Sequence, residues 1–313
     1  MAQFNNDIIV NMHKVPKDVD VIVGIPRSGL MVASILALYL NKPFVDVDGF
    51  FENKMFNVGN TKNTRSLINN CKEAKKIIVV DDSINSGRAM EEVRERFKGY
   101  SNIIFMAIYA TKESVSKVDI YFSILDNPRM FEWNFMHHIY LEHACMDIDG
   151  VLCVDPTDEE NDDGEKYKEF LLNAMPKYIP TRTVGWLVTS RLEKYRNETE
   201  IWLKKWGISY KHLIMLNLKS AEKRKELNCH ASFKADFFRK EPKAYLFIES
   251  EKAQAEVIAK ISGKDVVCVD TMNMYKGTMM FQIRETFKNY VKIILKQVLP
   301  RTWYNCIKKY YKK

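Results

Sequence analysis

The 313-residue chain has no hydrophobic run long enough to cross a bilayer and no pair of cysteines spaced for a metal site. Its longest apolar run, LMVASILALYL, falls short of the roughly 20 residues that a transmembrane helix needs, so we expect a buried helix there. The N-terminal MAQFNNDIIV has no basic leader before an apolar block, and no secretory signal is expected. The six cysteines are scattered without a CxxC pair, which favours a reducing cytoplasm.

No Gly/Ser-rich or Pro-rich linker divides the chain, and no internal repeat is present. The length predicts about two domains. Continuous Val/Ile runs alternate with helical stretches, first from VDVIVGIP to VDIYFSIL and then from HACMDIDGVL to KDVVCVD. Such runs predict strands covered on both faces. The predicted fold class is therefore α/β, with two doubly wound, mostly parallel sheets in domains 1–142 and 143–280, followed by a tail, 281–313.

Two adjacent acids interrupt the apolar strand in IIVVDDSINSGRAM, and a turn of small polar residues follows them. In an open parallel sheet, ligands bind beyond the carboxyl ends of the strands. The backbone N–H groups of the turn 83–87, with those of a helix beginning near Arg88, form a nest suited to a phosphate. Asp81 and Asp82 suit ribose hydroxyls, or a magnesium ion that bridges them. The segment predicts a site for a phosphorylated sugar.

The stretch VVDDSINSG resembles the phosphoribosyl pyrophosphate (PRPP) motif of type I phosphoribosyltransferases, with Ser86 in place of the more usual threonine. GIPRSGL resembles the pyrophosphate loop of the same family. The resemblance implies that Asp81 and Asp82 face the ribose, that residues 83–88 hold the 5-phosphate and that Arg27 pairs with the diphosphate. The predicted PRPP contacts are Arg27, Ser28, Gly29, Asp81, Asp82, Ser83, Ile84, Asn85, Ser86, Gly87 and Arg88, with Lys62 and Arg65 from NVGNTKNTRS, where the family carries a mobile loop.

The reaction implied by this resemblance is displacement of pyrophosphate from the anomeric carbon of PRPP. Such an enzyme mainly positions the reactants, neutralises the leaving group and excludes water. Mg²⁺ is expected on the pyrophosphate and ribose hydroxyls rather than in a protein cage. The motifs do not encode the acceptor. Within PRMFEWNFMHH, Glu132 and His137 are candidate acceptor bases and Trp133 could stack on a ring, with interdomain packing as the alternative.

A second acid pair lies in ACMDIDGVLCVDPT, where Asp147 and Asp149 stand on either side of an isoleucine at a strand end. Alternation along a strand puts both side chains on one face. Two acids so placed can act as nucleophile and proton donor beside a divalent cation. An EF-hand calcium loop is excluded, because Val151 stands where the pattern needs an oxygen ligand.

This segment resembles the first motif of the haloacid dehalogenase superfamily, and stretches resembling its other motifs follow in order. The resemblance implies that Asp147 forms an aspartyl-phosphate and that Asp149 protonates the leaving oxygen and then activates water. In WLVTSRLEKY, Thr189 is implied to hold the phosphoryl group, with Ser190 as the fallback. Arg191 is similar to an arginine of the polynucleotide-kinase type of phosphatase in that superfamily.

The third and fourth motifs are less regular. Lys234 is the choice for the lysine that neutralises nucleophile and phosphate, with Lys243 and Lys219 as rivals. Glu249, or alternatively Glu251, stands where the superfamily usually supplies an aspartate as metal ligand. The implied Mg²⁺ ligands are Asp147, Asp149 and Glu249. The intervals between motifs leave no room for a full cap domain, which predicts an open site suited to a phosphate on something large.

Basic residues concentrate in the tail. The residues from 281 onward include nine Lys or Arg and one Glu, which accounts for the whole formal net charge of +8. Phe287, Val291, Ile294 and Val298 fall on one helical face, with lysines beside them. This pattern suits an anionic membrane surface. Docking of the helix on its own domain is the alternative, and nucleic-acid binding is not expected.

Together the two resemblances predict a bifunctional enzyme, similar to the phosphoribosyltransferase–phosphatase pairs that add ribofuranose to bacterial surface polysaccharides. The first domain would install 5-phosphoribosyl on a lipid-linked glycan and the second would remove the phosphate. The expected location is the cytoplasm, with peripheral attachment to the inner face of the cytoplasmic membrane through the tail. Two alternatives stay open: a salvage enzyme acting on nucleobases and nucleotides, and a PRPP-sensing module attached to a phosphatase.

Overall fold

The computed structural model describes residues 1–56, 68–127 and 129–277, and the chain divides into two compact units, Met1–Met130 and Phe131–Lys313. The division falls earlier than the boundary predicted after residue 142. The segment in between folds with the second unit, where Thr181 N donates to Met136 O at 3.0 Å and Phe135 packs edge-on against Tyr178. The predicted tail, 281–313, lies outside the described residues.

The first unit contains five strands and four α-helices within the described residues. In chain order these are α1 Ala2–Asn11, β1 Val21–Gly24, α2 Ser28–Leu40, β2 Phe44–Asp46, α3 Val47–Glu52, β3 Ile77–Ile84, α4 Arg88–Arg96, β4 Ile103–Ala110 and β5 Ile120–Ile124. The sheet order is β2-β1-β3-β4-β5, and every neighbouring pair is parallel. The α/β class with a parallel sheet is thereby confirmed.

The apolar run predicted to form a buried helix lies in α2. One face of the helix is buried, including Val32, Leu36 and Ala37, whereas Leu38 is 80% exposed. Within the described residues, no helix combines the length and apolarity needed to cross a membrane.

The second unit contains six strands and five α-helices within the described residues. They are β6 Ala144–Met146, α5 Glu165–Asn173, β7 Val184–Leu192, α6 Arg196–Lys205, β8 Tyr210–Leu216, α7 Ala221–Leu227, α8 His230–Lys240, β9 Leu246–Glu249, α9 Lys252–Ser262, β10 Asp265–Cys268 and β11 Asn273–Tyr275. The sheet order is β11-β10-β9-β6-β7-β8.

The second sheet is mixed, because β11 runs antiparallel to β10 while the other pairs are parallel. Strand β11 was not predicted from the sequence. It spans only Asn273–Tyr275 and is partly exposed, so it has no buried apolar run to mark it.

Each sheet has one place where the order of the strands reverses. In the first unit β1 lies between β2 and β3, and in the second β6 lies between β7 and β9. Such a switch point opens a crevice at the carboxyl ends of the strands, where ligands of open α/β sheets bind. The first predicted acid pair lies in the last part of β3, and the second follows β6.

Candidate functional sites

The crevice of the first unit has a floor of closely packed backbone. Gly24 ends β1 and Gly29 lies in the first turn of α2. A Cβ on Gly29 would lie 2.6 Å from Val80 O, and one on Gly24 would lie 2.7 Å from Gly29 O. Because only glycine fits at both positions, helix α2 packs directly against the end of β3. The intervening loop contains a cis peptide bond between Pro26 and Arg27.

The predicted acid pair lies at this point, in the last part of β3. Ser28 Oγ donates to Asp82 Oδ1 at 2.9 Å, and Asp82 N donates to Asp81 Oδ1 at 2.9 Å. Asp82 is only 6% exposed. The structure thus brings the pyrophosphate-loop segment and the acid pair together, as the two motifs predict.

Burial and the neighbouring charge of Asp82 raise the pKa of Asp81 to about 8, although Arg129 opposes this rise. At neutral pH Asp81 is therefore mainly protonated, because ionising both acids at such short range is unfavourable. Hydroxyl donors from a bound sugar would relieve this repulsion, since they hydrogen-bond to the ionised carboxylates.

The turn behind the acids is shorter than predicted. Ser83 and Ile84 belong to β3 and pair with Tyr109 and Ala110 of β4, and Ile84 is buried. The turn itself comprises residues 85–87, and Gly87 has a φ of +76°, which favours glycine. Helix α4 begins at Arg88, as predicted. The turn that could hold an anion therefore begins at Asn85. Asn85, Ser86 and Arg88 are exposed and Gly87 is buried, and Arg88 N donates to Ser86 Oγ at 3.4 Å.

Two basic residues near this site were missed in the sequence analysis. Arg129 acts on Asp81 through its charge. Lys117 donates to Ser86 O at 2.7 Å and pairs with Glu91 at 2.7 Å, and a Cβ on Gly87 would overlap its side chain. No local motif could have revealed Lys117, because the topology alone brings it to the turn.

Several predicted residues lie outside the described part of the first unit. Lys62 and Arg65 lie outside the described residues. Glu132, Trp133 and His137 belong to the second unit, where Trp133 stacks on Phe131 and His137 Nδ1 lies 2.7 Å from Thr181 Oγ1. Their role towards an acceptor stays a prediction.

In the second unit, two acids and a lysine converge at the switch point. Asp147 directly follows β6, and Glu249 ends the adjacent β9. Lys234 of α8 donates to Asp147 Oδ2, to Glu249 Oε2 at 2.7 Å and to Gln254 Oε1 at 3.0 Å. The three charged side chains are at least 95% buried. Of the three candidate lysines, Lys234 contacts Asp147, whereas Lys243 and Lys219 are exposed.

The charges in this cluster shift one another's protonation. Burial raises the pKa of Asp147 to about 7; Lys234 lowers it, and Glu249 and Asp149 raise it. Burial would lower the pKa of Lys234, but Asp147 and Glu249 raise it above its usual value. The lysine therefore stays charged and favours the ionised form of Asp147.

Arg191 holds the second acid. Its Nη2 donates to Asp149 Oδ1 at 2.6 Å and its Nε lies 3.1 Å from both carboxylate oxygens. Burial alone would raise the pKa of Asp149, but the charge and hydrogen bonds of Arg191 hold it below its usual range. The arginine occupies an irregularity in β7, where the pairing with β8 shifts register between Thr189 and Leu192. Such bulges re-aim side chains next to active sites.

Thr189 and Ser190, the two residues predicted to hold the phosphoryl group, directly precede Arg191 in β7. Thr189 is fully buried and its Oγ1 accepts from Arg191 N at 3.2 Å. Ser190 is 8% exposed, and its hydroxyl has no hydrogen-bond partner among the described residues. Gly150, with a φ of +73°, leaves room for Ser250, which a Cβ there would overlap.

The predicted metal ligands are not arranged around one point. Lys234 Nζ lies between Asp147 and Glu249, while Asp149 is engaged by Arg191. Within the described ranges, no group of three or more His, Cys, Asp or Glu side chains is placed to hold a metal ion. Glu251 is exposed and accepts from Gln254 Nε2 at 2.6 Å. Of the two candidate glutamates, Glu249 is the one that accepts a hydrogen bond from Lys234, which also donates to Asp147.

Residues 2–139 match the family model described as phosphoribosyl transferase domain. A xanthine-guanine-hypoxanthine phosphoribosyltransferase of Helicobacter pylori is 15% identical, covers 42% of this chain and 86% of its own, and has a TM-score of 0.30. A purine phosphoribosyltransferase of Pyrococcus horikoshii Ot3 is 20% identical, covers 42% and 88%, and has a TM-score of 0.30. These TM-scores are too low to carry an argument about function. No curated protein matches the chain.

Proposed function

We propose that this chain, whose residues 2–139 are a phosphoribosyl transferase domain, transfers 5-phosphoribosyl from PRPP to a glycan acceptor and then removes the 5-phosphate. The second step is assigned to residues 143–280, as a phosphatase domain of the haloacid dehalogenase type. The observation that carries the proposal is the pair of switch-point sites, one suited to a sugar phosphate and the other to phosphate-ester cleavage.

In the transfer step, the backbone N–H groups of residues 85–88 would bind the 5-phosphate of PRPP. The carboxylates of Asp81 and Asp82 would accept hydrogen bonds from the ribose hydroxyls. Arg27, which is exposed on the loop before α2, would pair with the pyrophosphate. As the bond to pyrophosphate breaks, positive charge develops on the ribosyl ring, and the adjacent carboxylates would stabilise it.

In the hydrolysis step, Asp147 Oδ would attack phosphorus and form an aspartyl-phosphate. Lys234 would hold Asp147 ionised and neutralise the phosphoryl oxygens. Arg191 keeps Asp149 ionised, the form that abstracts a proton from the hydrolytic water. To protonate the leaving ribosyl oxygen, Asp149 must first gain a proton as the substrate displaces water from the site.

Mg²⁺ is part of the proposal for both steps. At the second site Asp147 and Glu249 supply hard carboxylate oxygens from neighbouring strand ends, the ligand type that Mg²⁺ prefers. When bound, the ion would offset the negative charge of the phosphate and of the attacking carboxylate. The carboxylate of Asp149 is less available as a ligand, because Arg191 holds it.

The size of the loops supports a large acceptor. Between β6 and β7 the structure contains a single α-helix, α5, and only a short connection joins α8 to β9. Neither interval holds a separate cap domain over the second site. A phosphate at the end of a bulky, lipid-linked glycan could therefore reach Asp147.

Incubating the full chain with PRPP, Mg²⁺ and a synthetic glycolipid tests the proposal. Pyrophosphate release and a product heavier by one ribose are expected, measured by a coupled assay and mass spectrometry. Asp147→Asn should release pyrophosphate at the wild-type rate and accumulate the product that still carries phosphate. Transfer to free nucleobases but to no glycan would contradict the acceptor, and an unchanged product in Asp147→Asn would contradict the phosphatase step.

A further inference from the structure

Arg224 is a buried cation beside the second site that no motif singles out. It lies on α7, is 6% exposed and donates from Nη1 to Ser190 O at 2.9 Å. Its Nε has no hydrogen-bond partner, and no carboxylate lies within ion-pair distance of it in the described part of the chain. Burying a charge without a counter-ion is costly.

The other buried cations of the second unit are compensated. Arg191 pairs with Asp149, and Lys234 pairs with Asp147 and Glu249. Lys264 donates to three backbone carbonyls. Among the buried cations of the described residues, Arg224 has the least compensation: no acid, one backbone carbonyl at Ser190 and a hydrogen bond with the Tyr167 side chain. Its remaining charge indicates that an anion completes its surroundings.

The surroundings of Arg224 place it at the phosphatase site. Its contact, Ser190, lies between Thr189 and Arg191 in the register shift of β7. Burial lowers the pKa of His230, and the charges of Arg224 and Lys234 lower it further, so His230 lies within range of both cations. Burial and the charge of Asp149 raise the pKa of Tyr167, and Arg191 and Arg224 oppose that rise.

The Ser190 hydroxyl is a second unsatisfied group at the same place. It is buried, and no residue in the described ranges donates to it or accepts from it. Buried polar groups are normally hydrogen-bonded, so an orphaned pair at one position indicates a ligand. A guanidinium Nε–H and a hydroxyl are both donors that match the oxygens of a phosphate.

We propose that Arg224 and Ser190 bind non-bridging oxygens of the phosphate monoester that Asp147 attacks. The inference rests on the proposed phosphatase function and extends it from the motif residues to a group on α7. Arg224 would add counter-charge for the dianionic ester to that of Lys234, whose charge Asp147 and Glu249 already share.

Inorganic phosphate is the probe for this site, used with the full-length protein. Its inhibition constant against hydrolysis of p-nitrophenyl phosphate reports the second site and not the PRPP turn. Arg224→Met should weaken inhibition by phosphate at least tenfold and raise KM for the ester similarly. Arg224→Lys, which keeps the charge without the fork of donors, should give an intermediate value. Lys223→Gln removes an exposed charge from the same helix and should leave both constants unchanged.

Calorimetry with phosphate keeps the test independent of catalysis. If the wild type hydrolyses no ester but one phosphate-binding event is lost in folded Arg224→Met, the proposed function fails and the anion site stands. If the wild type hydrolyses the ester and both folded Arg224 variants keep the wild-type constants, the inference is overturned while the function stands. Absence of any Arg224-dependent phosphate binding would also overturn it.

Discussion

Asp81 and Asp147 are buried acids whose pKa is raised into the neutral range, to about 8 and about 7. The sequence shows that each has a second acid close by, but it does not show the burial that raises the pKa. It also offers several lysines for Asp147, and packing alone places Lys234 there. Local motifs therefore predicted which acids lie at the carboxyl ends of the strands, whereas their protonation depends on distant parts of the chain.

The raised pKa of Asp81 predicts a conflict between stability and function. The folded protein favours the protonated acid, so stability is lost as the pH rises from about 4, the unfolded value, to about 8. Asp81→Asn cannot ionise and keeps an oxygen for Asp82 N. We expect its Tm to exceed that of the wild type by about 3 °C or more at pH 8 and to differ little at pH 4, while pyrophosphate release is lost.

Differential scanning calorimetry at the two pH values, paired with the pyrophosphate assay, provides the measurement. Glu113→Gln is the matched control, because Glu113 is an exposed acid of the same unit. A Tm gain for Asp81→Asn that is equal at both pH values would rule out ionisation as its cause.

At the scale of elements, the strands with continuous apolar runs were predicted, and the deviations from regular strands were not. No sequence feature of VTSRLE predicts the bulge of β7 that contains Arg191. The short edge strand β11 and the extension of β3 into the expected turn were likewise missed. In each case the conformation depends on pairing with a neighbouring strand, and a short stretch of sequence does not show which strand will be its neighbour.

Helix α8 carries Lys234, and a buried lysine from outside the helix fixes its C-terminal end. Lys264 donates to the carbonyls of Phe238, Glu241 and Ala244 at 2.7–3.0 Å. Lys264→Met would remove the donor to three carbonyls, of which Glu241 O keeps Ala244 N, and we expect it to lower the free energy of unfolding by about 2–3 kcal/mol. Denaturant titration measures this loss. Lys260→Met, an exposed position on α9, should cost less than about 0.5 kcal/mol; an equal loss in both variants would contradict the capping role.

At the scale of the whole molecule, composition and strand runs predicted two α/β units, and the first is a phosphoribosyl transferase domain. The boundary could not be placed from sequence, since no linker marks it and the 3₁₀ segments Phe135–His137 and Ile139–His143 look like part of the preceding unit. Each unit has its own sheet, its own switch point and its own acid cluster.

Because the clusters belong to separate sheets, the two proposed activities should be separable by single substitutions. Asp82→Asn removes the acid that Ser28 contacts and should lower pyrophosphate release by at least about 100-fold. The same variant should hydrolyse p-nitrophenyl phosphate within about twofold of the wild-type kcat/KM, measured in steady state. A parallel loss of both activities in folded protein would contradict independent sites.

The crevice of the first unit rests on Gly24, Gly29 and the main chain of β3, with the Asp81 carboxylate beside Gly29. Atoms of the peptide group are the same in every variant, so substitution cannot reshape that surface without forcing α2 away from the sheet. Substitutions that change the acceptor are thus confined to the residues around the edge of this crevice, which we call the rim. A library intended to change what this protein modifies should vary the rim and leave the glycines fixed.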